Sequence, residues 1–133
     1  MTEFKEKLAA LACALSEFEF TEETPVRRVE ELEVALMARG FSFQLQAGAA
    51  AWHVYEGSGG IERHHRGPTL HGTLNEAVRG AACELVSQVL DRAAVSVERD
   101  DHGWLAQVGE RRARGTTWGD ALRIAAELAL VRS

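Results

Sequence analysis

Glu62-Arg63-His64-His65-Arg66-Gly67, followed by Thr73-Leu74-Asn75-Glu76-Ala77-Val78-Arg79-Gly80-Ala81-Ala82, is answered later in the chain by Glu110-Arg111-Arg112-Ala113-Arg114-Gly115 and Thr117-Trp118-Gly119-Asp120-Ala121-Leu122-Arg123-Ile124-Ala125-Ala126. Trp52 and Trp104 hold matching places upstream. In each copy a polar extended segment ends in glycine. A threonine three residues ahead of an acid then reads as a capping box, in which side chains satisfy the free amides of a helix start. The alanines that follow let the helix sit close to a sheet, and the tryptophan supplies bulk to the core. Each copy therefore reads as strand, strand, polar strand, capped helix. One such unit is too small to bury its own face, so the two copies are expected to share one sheet.

Working outward, the strands show as alternation. Phe41, Phe43 and Leu45 alternate with Ser42, Gln44 and Gln46, the mark of a half-buried strand. Ala51–Glu56 is a second strand, with Trp52 and Val54 on one face and His53 and Tyr55 on the other; Gly57-Ser58-Gly59-Gly60 turns the chain, and Ile61–Arg66 is the third. In the second copy Val95 and Val97 alternate in a strand. Asp100-Asp101-His102-Gly103 makes a hairpin turn, Trp104, Ala106 and Val108 alternate, and Glu110–Arg114 is the polar arm. The last helix runs to about Val131.

Ahead of the repeats, Phe4, Leu8, Leu11, Leu15 and Phe18 fall at helical steps, with Thr2 able to cap them. Thr24 reads as the cap of a second helix with Pro25 at its first position; Val26, Val29, Leu32 and Leu36 form its stripe and Gly40 ends it. The expected fold is α+β: an antiparallel sheet of about five to six strands, built from two degenerate β-β-β-α repeats, with two N-terminal helices packed on it. Residues 1–133 read as a single domain, with 1–39 as a helical segment, 41–92 as the first repeat and 94–131 as the second.

Composition narrows the function classes. Apolar residues make up 46% and charged residues 26%, which speaks for a packed chain rather than a disordered one. No apolar run approaches the roughly 20 residues of a membrane span, and Met1–Lys7 is too charged for the centre of a signal peptide. Cytoplasmic location is the expectation. Cys13 and Cys83 make neither a disulfide framework nor a metal knuckle, and both read as buried free thiols. The net charge of −5 argues against general nucleic-acid binding, which needs clustered cations. The charge is uneven: residues 1–39 hold nine acids and five bases, residues 40–133 eleven and ten. All bases but Lys5 and Lys7 are arginine, the better residue for bidentate recognition of carboxylate or phosphate.

No catalytic set assembles. His64 and His65 point to opposite faces of a strand, which keeps His64, His65, His71 and His53 from forming one metal site. Ser58 lies in a glycine turn without the strand-to-helix setting of a nucleophile elbow, and Asp100-Asp101 is explained by turn chemistry. Two surfaces remain. Arg63 and Arg66 match Arg111, Arg112 and Arg114 in the two copies. They read either as a recognition surface, with Tyr55, His64 and Trp118 as stacking groups, or as charged protection of exposed strand edges. Glu30, Glu31 and Glu33, with the acids from Glu17 onward, read either as a surface for a basic groove or as a solvated helix face.

Gly115, Thr117, Asp120 and Ala121 carry a resemblance: residues 94–128 are similar to the strand–strand–helix unit of HicB-like antitoxins. The whole chain also resembles small alpha-beta-alpha sandwich proteins of phages and prophages. The resemblance implies a small non-enzymatic protein-binding module of phage or mobile-element type, an anti-CRISPR-like inhibitor that blocks a host defence nuclease complex by steric occlusion. The alternative is an RNA- or DNA-binding, antitoxin-like protein using the arginine strands. The expected partner-binding residues are Arg63, Arg66, Arg111, Arg112, Arg114, Glu30, Glu31 and Glu33. The partner is another protein, nucleic acid being the second choice. No catalytic residue, metal or cofactor is expected.

Overall fold

A computed structural model describes residues 18–58, 60–90 and 92–131. The elements run α1 (Arg27–Ala38), β1 (Ser42–Ala47), β2 (Trp52–Ser58), β3 (Ile61–Gly67), α2 (Leu70–Val89), β4 (Val95–Asp100), β5 (Gly103–Val108), β6 (Arg111–Gly115) and α3 (Trp118–Val131). They form two compact units, one spanning Phe18–Ala81 and one built on the residues from Ala82 onward. The expected helix over Phe4–Leu15, its Thr2 cap and Cys13 lie outside the described residues.

The α+β class holds, but the strands do not join one sheet of five or six. They form two antiparallel three-stranded sheets, ordered β1-β2-β3 and β4-β5-β6. The physical reason lies in how each unit covers its inner face. Val54 on β2 is fully buried with Leu74, Ala77, Val78 and Ala81 of α2, while Ala106 and Val108 on β5 are fully buried with Ala121, Leu122 and Ala125 of α3. Each unit thus buries its inner face under its own helix, so the need to cover that face, on which the expectation of one shared sheet rests, is met within each unit.

The pairing itself is repeated. Trp52 stands opposite Gly67 as Trp104 stands opposite Gly115, and Val54 lies between Leu45 and His65 as Ala106 lies between Val97 and Ala113. The two glycines are where the helix presses on the strand end. A Cβ on Gly67 would stand 2.6 Å from the Thr73 hydroxyl oxygen, and one on Gly115 would stand 2.7 Å from the Ala121 backbone nitrogen.

Helix boundaries move in two places. α1 begins at Arg27, with Val26 at its N-cap and no side-chain cap. Thr24 instead closes a turn: its hydroxyl accepts from the Thr21 N–H at 2.8 Å, and its own N–H donates to the Thr21 carbonyl at 3.0 Å. α2 begins one turn before the expected capping box, because Thr69 takes the capping role: its hydroxyl accepts from the Gly72 N–H at 3.3 Å. Thr73 is buried inside the helix and donates to the Thr69 carbonyl at 2.7 Å. The Thr117 cap stands as expected, accepting from the Asp120 N–H at 3.1 Å. Gly40 ends α1 as expected, at φ +81°, with its N–H bonded to the Met37 carbonyl and that of Phe41 to the Leu36 carbonyl. This paired closure needs a left-handed residue, which glycine adopts without strain.

Gly115→Ala is expected to destabilise the chain by about 1–3 kcal/mol, because the atom it meets is backbone and cannot yield. Gly67→Ala should cost less, and Thr73→Ala in the same chain should recover part of the loss, because there the obstacle is a side-chain hydroxyl. Urea unfolding followed by circular dichroism checks the order.

Candidate functional site

The first unit holds an apolar cleft of about 340 Å³. The segment before α1 makes one wall. Its placement depends on Asn75, whose side-chain amide binds the Phe20 backbone twice: it accepts from the Phe20 N–H at 2.7 Å and donates to the Phe20 carbonyl at 2.9 Å. This two-point contact mimics one rung of a sheet and ties residues far apart in sequence. Phe20 is thereby buried against the unit. Val29 of α1, Leu45 of β1, Trp52 of β2 and Leu74 of α2 complete the apolar lining, with Glu22, Thr24 and His71 at its polar margin.

α1 borders this cleft and leaves apolar side chains in water. Val26, 78% exposed at the N-cap, sits at the lip of the cleft, and Val34 and Met37 of α1 are exposed as well. Arg27, Glu30, Glu31, Val34 and Ala35 line a shallow groove beside them. Glu30, Glu31 and Glu33 are all exposed, as are Glu19, Glu22 and Glu23. Glu31 is paired with Arg28, whose guanidinium also sits 4.5 Å from the centre of the Phe18 ring. Over residues 18–39 six acids face three arginines, so an apolar patch is set within an acidic surround.

A second feature lies under the same sheet, and the sequence reading missed it. Glu56 is 0% exposed. The Arg63 guanidinium holds it in a bidentate grip, Nε to Oε1 and an Nη to Oε2, both at 2.6 Å. His65 Nε2 lies 3.1 Å from Oε1, and its Nδ1 faces Glu76 at 3.9 Å. Gly80 makes the room, since a Cβ there would stand 3.1 Å from Oε1 and 3.0 Å from the His65 ring. The same positions in the second unit carry Val108, Ala113 and Ile124. The fold therefore does not require the ions. With both oxygens engaged, the carboxylate is satisfied where it is buried.

The five predicted arginines have different fates. β3 and β6 are edge strands of separate sheets. Arg63 is turned inward onto Glu56. Arg66 and Arg112 are exposed on outer faces. Arg111 is half-buried in a groove with Leu90, Ala93 and Ala129. Arg114 is exposed and bonded to Asp100, at 2.8 Å to Oδ1 and 2.7 Å to Oδ2. The polar third strand is thus two-sided, with Arg63 and His65 directed inward. Trp118 is no stacking group: it is 9% exposed, in the core of the second unit. Cys83 is half-buried rather than buried. His64 and His65 do take opposite faces, while His71 lines the cleft, so the three do not converge. Among the described residues no group of three or more His, Cys, Asp or Glu is placed to hold a metal, and no helix is long and apolar enough to cross a membrane.

Asp100 shows how local the charges of the second sheet are. Its carboxyl lies below the ordinary aspartate value, first because Arg114 donates to it and next because the His102 backbone N–H does. A carboxyl depressed in the folded state contributes stability above its unfolded value and loses it as pH falls through the folded one.

No family model matches the chain, and neither a curated protein nor a solved structure matches it.

Arg114→Gln should therefore raise the Asp100 titration midpoint toward the ordinary range, read by carbon-detected NMR of the carboxyl. Glu56→Val alone is expected to cost about 3–5 kcal/mol, because it strands the Arg63 guanidinium without its counter-charge and the His65 ring without its hydrogen-bond partner. Adding His65→Ala and Gly80→Ile, which copies the second unit, should recover most of that loss in urea unfolding.

Proposed function

We propose that the chain is a non-enzymatic protein-binding module whose interface is the apolar cleft beside α1 together with the acidic surround of that helix. The observation that carries this reading is one cleft lined by Phe20, Val29, Trp52 and Leu74, with exposed Val26 at its lip and exposed Val34, Glu30, Glu31 and Glu33 along the helix that follows. Interfaces draw their affinity from a few apolar anchors in desolvated pockets, and charge around them governs approach and selection. The complementary partner is a protein segment that offers one large apolar side chain flanked by lysine or arginine. A basic groove that normally receives nucleic acid has this chemistry, and occlusion of such a groove is how the module acts in this reading.

The charged groups elsewhere support binding rather than catalysis. Glu56 is engaged by Arg63 and His65 on the inner side of the sheet, and Arg114 is bonded to Asp100. The nucleic-acid alternative draws on what remains exposed on the arginine strands: Arg66 in the first unit, where Tyr55 and His64 stack at 4.5 Å, and Arg112 in the second.

Peptide display against the full chain tests the proposal. Enriched ligands should pair a Leu, Phe or Trp anchor with flanking Lys or Arg, and their binding should weaken as salt rises. Val26→Asp should abolish binding, and reversal of Glu30, Glu31 and Glu33 to lysine should remove its salt dependence. Enrichment of acidic ligands, or binding indifferent to these changes, would overturn the assignment. A shift of labelled single-stranded RNA or DNA at low salt that Arg112→Ala removes would favour the alternative.

A further inference from the structure

We propose that His53 and His64 form a two-imidazole site for a divalent transition ion of the zinc, nickel and copper class, on the outer face of the first sheet. The two residues come from neighbouring strands, diagonal to one another: Tyr55 stands opposite His64, and His53 stands opposite Arg66. His53 Nδ1 lies 2.8 Å from His64 Nε2. The ring planes are within 14° of parallel, with centroids 5.0 Å apart, so the imidazoles sit side by side rather than face to face. Their facing nitrogens point at one another in a half-open setting.

That separation is close to what a metal demands. Two imidazole nitrogens bound at about 2.0–2.1 Å, at a right angle or a tetrahedral angle, stand roughly 2.9–3.4 Å apart. A spread of a few tenths of an ångström, with a tilt of each ring that swings its lone pair off the line between the nitrogens, turns the hydrogen bond into a chelate. The proton balance is simple. In the neutral pair one facing nitrogen holds a proton and the other accepts it. Moving that proton to the far nitrogen of its own ring leaves two facing lone pairs, with no proton lost. Imidazole suits zinc, nickel and copper, and does not suit magnesium or calcium, which take oxygen ligands.

The rings are also held where they are. Tyr55 stacks on His64 at 4.5 Å between centroids and 8° between planes. Gly48 lies against His53, since a Cβ there would stand 3.2 Å from its Cδ2 and Nε2. Positioning of ligating rings by their neighbours is what separates a site from two mobile side chains. The charged groups on this face are Arg66 and Glu62, of opposite sign, while β1 presents Gln44 and Gln46. The second unit carries Leu105 and Arg112 at the places of His53 and His64. The strands therefore pair without the histidines, and the fold does not account for them. Two donors leave the remaining coordination positions to water or to a donor from outside the chain.

Titration of the full chain with Zn2+ or Ni2+ tests the site, with Mg2+ as control. One equivalent should bind, with ring nitrogen resonances of His53 Nδ1 and His64 Nε2 shifting together in NMR. His53→Leu and His64→Arg, residues the second unit already accommodates at these places, should each weaken binding by roughly tenfold or more. Circular dichroism confirms that both variants fold. His102→Gln, in the exposed hairpin turn, should leave the affinity unchanged. Zn2+ and Ni2+ binding no tighter than Mg2+, binding that survives either strand substitution, or binding that depends on His102 would overturn the proposal.

Discussion

The close approach of each helix to the strand that precedes it sets the rest of the structure. At Gly67 the Thr73 hydroxyl, and at Gly115 the helix backbone itself, occupies the place a Cβ would take. Ala77 and Ala81 in one unit, and Ala121 and Ala125 in the other, continue that close approach and are fully buried. A helix held so near leaves little depth over the sheet, so the inward residues of the central strand determine what occupies the layer. In the first unit those residues are Trp52, Val54 and Glu56. Trp52 meets the start of α2 and opens a cleft with Leu70 and Leu74. Glu56 lies farther along, where only a glycine, Gly80, leaves space for a carboxylate and the ring of His65. One column of three side chains thus places both the cleft and the ionic cluster.

The two units act as controls for each other. They share strand order, register and the strand-end glycine, yet they differ where the first unit carries chemistry-bearing side chains. Glu56, His65 and Gly80 stand where the second unit has Val108, Ala113 and Ile124; His53, Tyr55 and His64 stand where it has Leu105, Gln107 and Arg112. Stability alone favours the apolar set, because a buried ion pair must recover the cost of leaving water before it contributes anything. The first unit has moved away from that solution on both faces of its sheet.

Alternation and repetition were legible because they are local. Trp52, Val54, Trp104 and Ala106 could be assigned to inward faces from a period of two alone, and the His64–His65 split follows from the same period. The Gly40 stop and the Thr117 cap were legible because their chemistry lies within a few residues. Two threonines at a helix start defeated the reading of α2: Thr69 and Thr73 both fit a cap, and only the packing of Thr73 against Gly67 decides between them. Whether the copies share a sheet could not be read, because edge pairing has no period. Glu56 was passed over as the end of a strand, although its place two residues beyond Val54 put it on the inward face, where an acid needs a partner. The cleft depends on Asn75 holding Phe20, 55 residues away, and nothing in either neighbourhood announces that contact.

An excess of negative charge is not in itself a binding surface, since exposed helices are commonly charged and screening is strong beyond about 8–10 Å. What changes the reading for α1 is the apolar side chains left among its acids. Val34 and Met37 gain nothing from water, and a charged helix face without a partner has no use for them. Apolar contact supplies affinity without regard to sign, whereas the surrounding acids repel other acidic surfaces and favour basic ones. The two together discriminate. Arg28 and Glu31 cancel as a pair, which leaves Glu19, Glu22, Glu23, Glu30 and Glu33 as the exposed acids in excess over Arg27 and Arg39. The inward turn of Arg63 onto Glu56 keeps its charge off the surface of that unit.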